Sequence, residues 1–265
     1  MNTRTQTWKE FWDALATSRD PIAATDRPTV GPSTYQLYST EIMQKLDLGQ
    51  HDVLLDVGCG TGVIDAHLAP HVREIFATDF SLAMTRQARS GTVPYGNVYV
   101  VNCDCTALPF RDGVFPKLVM YAVAQYLSSE QIDQGLREAH RVTQPGGLTM
   151  LGEIPRARDA SCLARIRDVW MHEGLGGILR KVVILSFELW LRITGRLTHR
   201  FVRPTGPPIV LHSERELLDM VQRHGMRGRV SPQSEELPWF HQTFDLLIEN
   251  IPVADTKENV TVNAA

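Results

Sequence analysis

The 265-residue chain has only four cysteines, Cys59, Cys103, Cys105 and Cys162. So few, in a chain long enough to bury a core of its own, exclude the disulfide framework on which small secreted domains depend. Long apolar runs are missing too. No stretch reaches the roughly eighteen uncharged apolar residues of a membrane-crossing helix. The N-terminal segment, with Trp8, Lys9, Glu10 and Asp13, lacks the continuous apolar region of a signal peptide. These absences predict a cytoplasmic chain. Nor is there an excess of one charge: 27 Lys and Arg stand against 30 Asp and Glu, a net −3. That argues against binding nucleic acid through bulk positive charge, and no DNA partner is expected. With 43% hydrophobic and 22% charged residues, the composition is that of an ordinary globular protein.

What the chain does have is a run from Val53 to Gly62, V-L-L-D-V-G-C-G-T-G. Val53, Leu54, Leu55 and Val57 form the continuous apolar stretch of a strand buried on both faces. Gly58, Gly60 and Gly62 then allow a tight turn and a close approach of backbone to ligand. The dinucleotide fingerprint is G-x-G-x-x-G; here the third glycine comes one residue early, and Asp56 sits two residues before the first. A carboxylate there suits a cationic group better than a pyrophosphate.

This run resembles motif I of class I S-adenosylmethionine-dependent methyltransferases, in particular the small-molecule group, and the likeness continues through further segments. Glu74 to Asp79, E-I-F-A-T-D, is similar to the second strand and its terminal acid, which in the family holds the ribose hydroxyls. Phe80, Ser81 and Met84 resemble the D-x-S-x-x-M segment beside the adenine. Asn102 to Phe110, N-C-D-C-T-A-L-P-F, resembles the D-A-x-x-L-P-F segment whose acid, here Asp104, accepts from the adenine amino group. Leu136 to Gly147 resembles the L-x-E-x-x-R-V-L-K-P-G-G helix and turn. The resemblance implies S-adenosylmethionine as cofactor, held by Asp56, Gly58, Cys59, Gly60, Asp79, Phe80, Met84, Asp104 and Cys105, with Tyr121 and Tyr126 after the fourth strand. One segment departs: where the family has F-D-x-V, this chain has Phe115-Pro116-Lys117, so the fourth strand is expected to start at about 117.

Strands are expected at 52–57, 73–78, 97–101, 117–122, 147–153, 226–231 and 243–249. Helices are expected at 8–17, 34–46, 61–68, 81–89 and 129–142, with a further one capped by Ser213 through a capping box with Glu216. The fold class is α/β: a Rossmann-like, seven-stranded, mostly parallel sheet with helices on both faces, its last strand antiparallel by the resemblance, plus a helical insertion after the fifth strand. The expected organisation is an N-terminal helical cap (1–48), a cofactor-binding core (49–154 and 205–252), an insertion over the acceptor (155–204) and a loose tail (253–265). Tyr35 and Tyr38 on the cap either touch the cofactor or pack on the core. Cys103 and Cys105 complete no familiar zinc spacing and read as small apolar residues beside a pocket, with no metal expected.

The insertion carries ten Arg and Lys against four Asp and Glu, a formal +6, which leaves −9 for the rest. Within it, Ile178 to Ile193 reads as a helix with a narrow polar stripe of Lys181, Glu188 and Arg192. Three readings stay open for it: a helix packed on the core, a lid over an apolar acceptor, or an interfacial helix at a membrane surface. Methyl transfer needs alignment of donor and acceptor, and a base only for a poorly acidic acceptor. Candidates near the sheet's carboxyl edge are Tyr121, Gln125, Tyr126, Glu153, His212 and His241, with His212 preferred as a base because imidazole titrates near neutrality. The Asn/Asp-Pro-Pro-Tyr/Phe pattern of amino-directed DNA and glutamine enzymes is absent; Met120 to Ala124 stands in its place. The expectation is methylation of a small-molecule or lipid-like acceptor at oxygen or carbon. The alternatives are an RNA methyltransferase using the basic insertion and a non-catalytic cofactor-binding regulator.

Overall fold

The computed structural model describes residues 3–18, 20–22, 24, 31–156, 209–237 and 243–251. Two helices come first, α1 (Thr3–Leu15) and α2 (Pro32–Leu46). The chain then alternates: β1 (Val53–Val57), α3 (Val63–Leu68), β2 (Glu74–Asp79), α4 (Leu82–Thr92), β3 (Val98–Asn102), β4 (Phe115–Tyr121), α5 (Ser129–Val142) and β5 (Thr143–Pro155). Past the insertion come α6 (Glu214–Arg223), β6 (Arg227–Ser231) and β7 (Thr243–Glu249). Residues 157–208, and with them all but the first two residues of the expected insertion, lie outside the described residues, as does His241. No described helix is long and apolar enough to cross a membrane.

The seven strands form one sheet in the order β3-β2-β1-β4-β5-β7-β6. β1 to β5 run parallel, and β7 is antiparallel to both β5 and β6. All five residues of β1 are buried, as a strand near the middle of a two-sided sheet requires. Alternation along the strands sorts the core into two layers. Leu55, Leu118 and Met120 meet Ile132 and Leu136 of α5 and Leu217 of α6. Leu54, Ile75 and Val119 meet Tyr38, Ile42 and Leu46 of α2 on the other face. Each fully buried leucine or isoleucine contributes about 1.5–3 kcal/mol.

β4 starts earlier than expected. Phe115 already pairs with Thr143, and Pro116 sits where the β4–β5 register shifts before Lys117 meets Leu148. A proline costs no ladder bond at such an irregularity. The same shift carries β5 back to Thr143, across the Pro145-Gly146-Gly147 turn. The capping box expected at α6 is half present: Ser213 Oγ accepts from Glu216 N at 3.1 Å, but the Glu216 carboxylate instead accepts from Ser129 Oγ at 2.8 Å. A complete box stands at α5, where Ser128 and Gln131 cap each other.

Candidate functional site

A cavity opens at the carboxyl edge of β1, β2 and β4, where the parallel sheet reverses its strand order. Its floor is the glycine turn. The N–H groups of Gly58 and Cys59 both donate to the Thr78 carbonyl, at 2.7 and 2.9 Å, tying the turn to β2. Gly58 has φ 85°, and a Cβ on it would stand 2.3 Å from Val123 Cγ2. Gly60 has φ 56° and nothing within 4 Å of its Cβ position. A side chain there would intrude on the cavity that Gly60 lines.

Asp79 closes β2 and faces the same space. Its two carboxylate oxygens accept from Gly60 N at 3.0 Å and Ser81 N at 2.8 Å. Burial pushes its carboxyl up to about 6, with the Ser81 and Gly60 N–H groups pulling the other way. Each oxygen keeps a lone pair for a further donor. Asp104, two residues past the β3 partner of Asp79, lines the same cavity, with Oδ1 fixed by the Thr106 N–H and hydroxyl, both at 2.9 Å.

Cys59, Cys103 and Cys105 also line the cavity. Burial raises all three thiols, Cys103 to about 11, with neighbouring aspartates adding to the effect. They are neutral, small wall residues and not nucleophiles. Among the described residues no group of three His, Cys, Asp or Glu side chains is placed to hold a metal ion.

The roof comes from α1 and the segment after β4. Trp8 and Trp12 stand against Tyr126, with ring centroids 4.7 and 5.1 Å apart in edge-on contact. Trp8, Phe11, Leu15 and Met84 form a cluster that Phe80 joins. Trp8 and Trp12 were not singled out in the sequence. Their i, i+4 spacing beside Phe11 and Leu15 is the available signal, an aromatic stripe that the parallel sheet alone has no room for. Tyr121 closes the side wall, with its ring against Gly152, where a Cβ would meet Tyr121 Cδ2 at 2.3 Å. The Tyr121 hydroxyl is buried without a hydrogen-bond partner, and burial together with Glu153, Asp245 and Glu41 keeps it protonated. Tyr35 lines the cavity, whereas Tyr38 packs behind it on the Tyr121 ring at 5.2 Å.

The structure thus gathers Gly58, Cys59, Gly60, Asp79, Phe80, Met84, Asp104, Cys105, Tyr121 and Tyr126 around one space. It leaves Asp56 behind the turn, 3% exposed. His212 is not brought to the cavity. It is wholly buried, with Nε2 at 3.2 Å from the Leu127 carbonyl. Gln125 lies outside the wall as well, its carbonyl accepting from Val210 N at 2.7 Å. Glu153 is 6% exposed and left-handed, φ 55°, with its N–H bound to Asp245 Oδ1 at 2.7 Å.

Residues 54–147, which carry the turn, both cavity acids and the last glycine before the body of β5, match the family model described as "Methyltransferase domain". Over these residues the chain is similar to methyltransferase domains. A demethylmenaquinone methyltransferase of Corynebacterium urealyticum is 34% identical to this chain over 120 residues, covering 45% of this chain and 49% of that protein. A malonyl-[acyl-carrier protein] O-methyltransferase of Pseudescherichia vulneris is 32% identical over 124 residues, covering 45% and 47%. The chain therefore spans about half the length of these relatives. Among solved structures, phosphoethanolamine N-methyltransferase 1 of Haemonchus contortus, bound to phosphoethanolamine and S-adenosylhomocysteine, superposes with a TM-score of 0.66 at 14% identity, covering 95% of this chain and 50% of that one. That likeness is one of fold.

Proposed function

We propose that the chain is an S-adenosylmethionine-dependent methyltransferase acting on a small-molecule or lipid-like acceptor, at oxygen or carbon. The observation that carries this reading is the joining of Asp79, Gly60 and Asp104 on one cavity. Asp79 presents a carboxylate with spare lone pairs for a diol, Gly60 leaves the space of a side chain beside it, and Asp104, after β3, offers a further acceptor on the same cavity. When bound, the cofactor supplies a methyl group on a sulfonium, which is transferred by direct displacement.

The chain's own residues have the simpler tasks of holding, aligning and excluding water. Asp79 and the turn fix the nucleoside end. Met84, Phe80 and Cys105 supply apolar walls. Trp8, Trp12 and Tyr126 cover the space from the solvent side. The Tyr121 phenol, held protonated, is a hydrogen-bond donor and not a base. No described cavity residue is poised as a strong general base, which suits an acceptor that is already acidic or activated. The insertion at 155–204 follows β5, whose carboxyl end adjoins the cavity, and in this reading its surplus of Arg and Lys selects the acceptor.

Calorimetric titration with S-adenosylmethionine and S-adenosylhomocysteine tests the cofactor half. Both are expected to bind, and Asp79→Ala is expected to weaken binding about tenfold or more, as loss of a charged acceptor implies. Failure of both ligands to bind overturns the reading. Methyl transfer from labelled donor to a panel of quinols, phenols and carboxylic acids, with an RNA pool alongside, tests the acceptor half.

A further inference from the structure

Behind the glycine turn, Asp56 of β1 and Asp65 of α3 bring two carboxyl groups together inside the protein. Asp65 has no exposed surface, and neither of its carboxylate oxygens meets a donor from another described residue. Asp56 is equally enclosed, and the two side chains are within hydrogen-bonding reach of each other. The other titratable groups that bear on the pair are the Cys59 thiol on the turn and Asp79 at the end of β2, which Asp13 of α1 influences in its turn. None of these is a cation. Two buried carboxylates in contact, with no counter-ion among the described residues, cannot both be charged at acceptable cost. A single proton held between them supplies the donor that the Asp65 oxygens lack. Burial favours that protonated state for both, and for Asp56 the Asp65 charge adds to it.

We propose that Asp56 and Asp65 share one proton in the free protein and give it up to solvent when the ammonium of a cationic cofactor enters, so that the pair is that ammonium's counter-charge. This rests on the S-adenosylmethionine reading above and assigns Asp65 as a positioning residue that acts through Asp56. The location fits. The residues between the pair and the cavity are Val57, Gly58, Cys59 and Gly60, and all four line it. Asp79 and Asp104 line the cavity itself, and Asp56 and Asp65 are the buried acids on β1 and α3 beside the turn. The coupling follows from linkage: a ligand that favours the ionised pair binds with proton release and binds more tightly as pH rises.

The experiment is calorimetry at about pH 6.5, where an α-amino group is still charged, in two buffers of different ionisation heat. The ligands are S-adenosylmethionine, S-adenosylhomocysteine and 5′-methylthioadenosine. The last carries the ribose hydroxyls and thioether without an amino-acid portion, so any proton that Asp79 releases appears with all three. The two amino-acid-bearing ligands are expected to release more protons than methylthioadenosine, by up to about one per site, and their affinity to rise by up to about tenfold per pH unit around neutrality. Asp65→Asn, which keeps the shape and removes the second acid, is expected to abolish the excess while binding persists. Equal release by all three ligands overturns the proposal and leaves the cofactor reading standing. An excess confined to S-adenosylmethionine also overturns it, because the sulfonium and not the ammonium would be the trigger. Absence of binding by every ligand overturns both. The wild-type comparison decides the matter even where Asp65→Asn does not fold.

Discussion

Three aspartates at the cofactor end, Asp56, Asp65 and Asp79, are buried acids with raised proton affinity, and this sets how the empty protein responds to pH. In the unfolded chain such carboxyls titrate near 3.8; in the folded protein Asp79 titrates at about 6, and the Asp56–Asp65 pair is also pushed up. Between those values the folded state holds protons that the unfolded chain has lost. Stability therefore falls as pH rises through that interval. Asp13 and Glu138 are shifted the other way, with Lys9 and Arg141 beside them, and offset part of that fall. Thermal unfolding of the ligand-free protein is expected to give a melting temperature that declines from about pH 5 to neutrality, and Asp65→Asn is expected to flatten the decline. A melting temperature that climbs over the same range would show that these acids ionise freely in the fold. At the same scale, Gly152→Ala places a methyl group inside the Tyr121 ring's contact distance. It is expected to cost about 1–3 kcal/mol and to move Tyr121 off the cavity wall, measurable as a lower denaturation midpoint together with weaker cofactor binding.

Among the elements, α1 is tied to α4 through Ser81. Its hydroxyl caps α4 by accepting from Met84 N at 3.1 Å and donates to Asp13 of α1 at 2.5 Å. Gln87 of α4 adds bonds to the Ala16 and Ser18 carbonyls. Ser81→Ala removes the cap and the tether together. A loss of about 1 kcal/mol in global stability is expected from the cap, with faster proteolytic cleavage in α1 from the tether. Unchanged cleavage would mean that the Trp8, Phe11 and Leu15 packing alone secures the helix. This is also where the sequence was least legible. The buried strands announced themselves through continuous apolar runs, and the site acids through their place at strand ends. α1 has no glycine motif or strand register to anchor it. Its role depends on which surface its aromatic stripe finds, and that is a tertiary fact. His212 shows the same limit from the other side. Its residue type suggested chemistry, but the parallel bridge of His212 with Arg156 draws it into the interior, where its ring serves a backbone carbonyl. Pro116 looked like a strand break and is absorbed by a register shift that only the pairing with β5 reveals.

Across the whole molecule, Asp245 ties together the parts that the sheet alone would leave independent. It lies on β7 with no exposed surface. Oδ2 pairs with Lys45 of α2 at 2.5 Å, and Oδ1 accepts from Glu153 N at 2.7 Å and Gln233 Nε2 at 2.9 Å. Lys45 also meets Glu41 at 3.0 Å and the Pro232 carbonyl at 2.8 Å. One cation thus balances two buried acids, and through Asp245 it fixes the irregular end of β5, where Glu153 is left-handed and Gly152 supports the Tyr121 ring. The Glu41 carboxyl is already raised by burial and by the Asp245 charge, so Lys45 is the cation, among the described residues, that offsets both acids. Lys45→Met preserves the apolar stem and removes the charge. It is expected to destabilise the fold by about 3–5 kcal/mol, the cost of leaving a buried ion unpaired. Because the loss comes from uncompensated negative charge, the gap between variant and wild type should narrow as pH falls and Glu41 takes up a proton. Urea unfolding of both proteins at neutral and mildly acidic pH measures this. A gap that stays constant with pH would assign the loss to packing of the lysine stem. If the gap does narrow, cofactor affinity should recover with it, since the Tyr121 wall of the cavity hangs on the same aspartate.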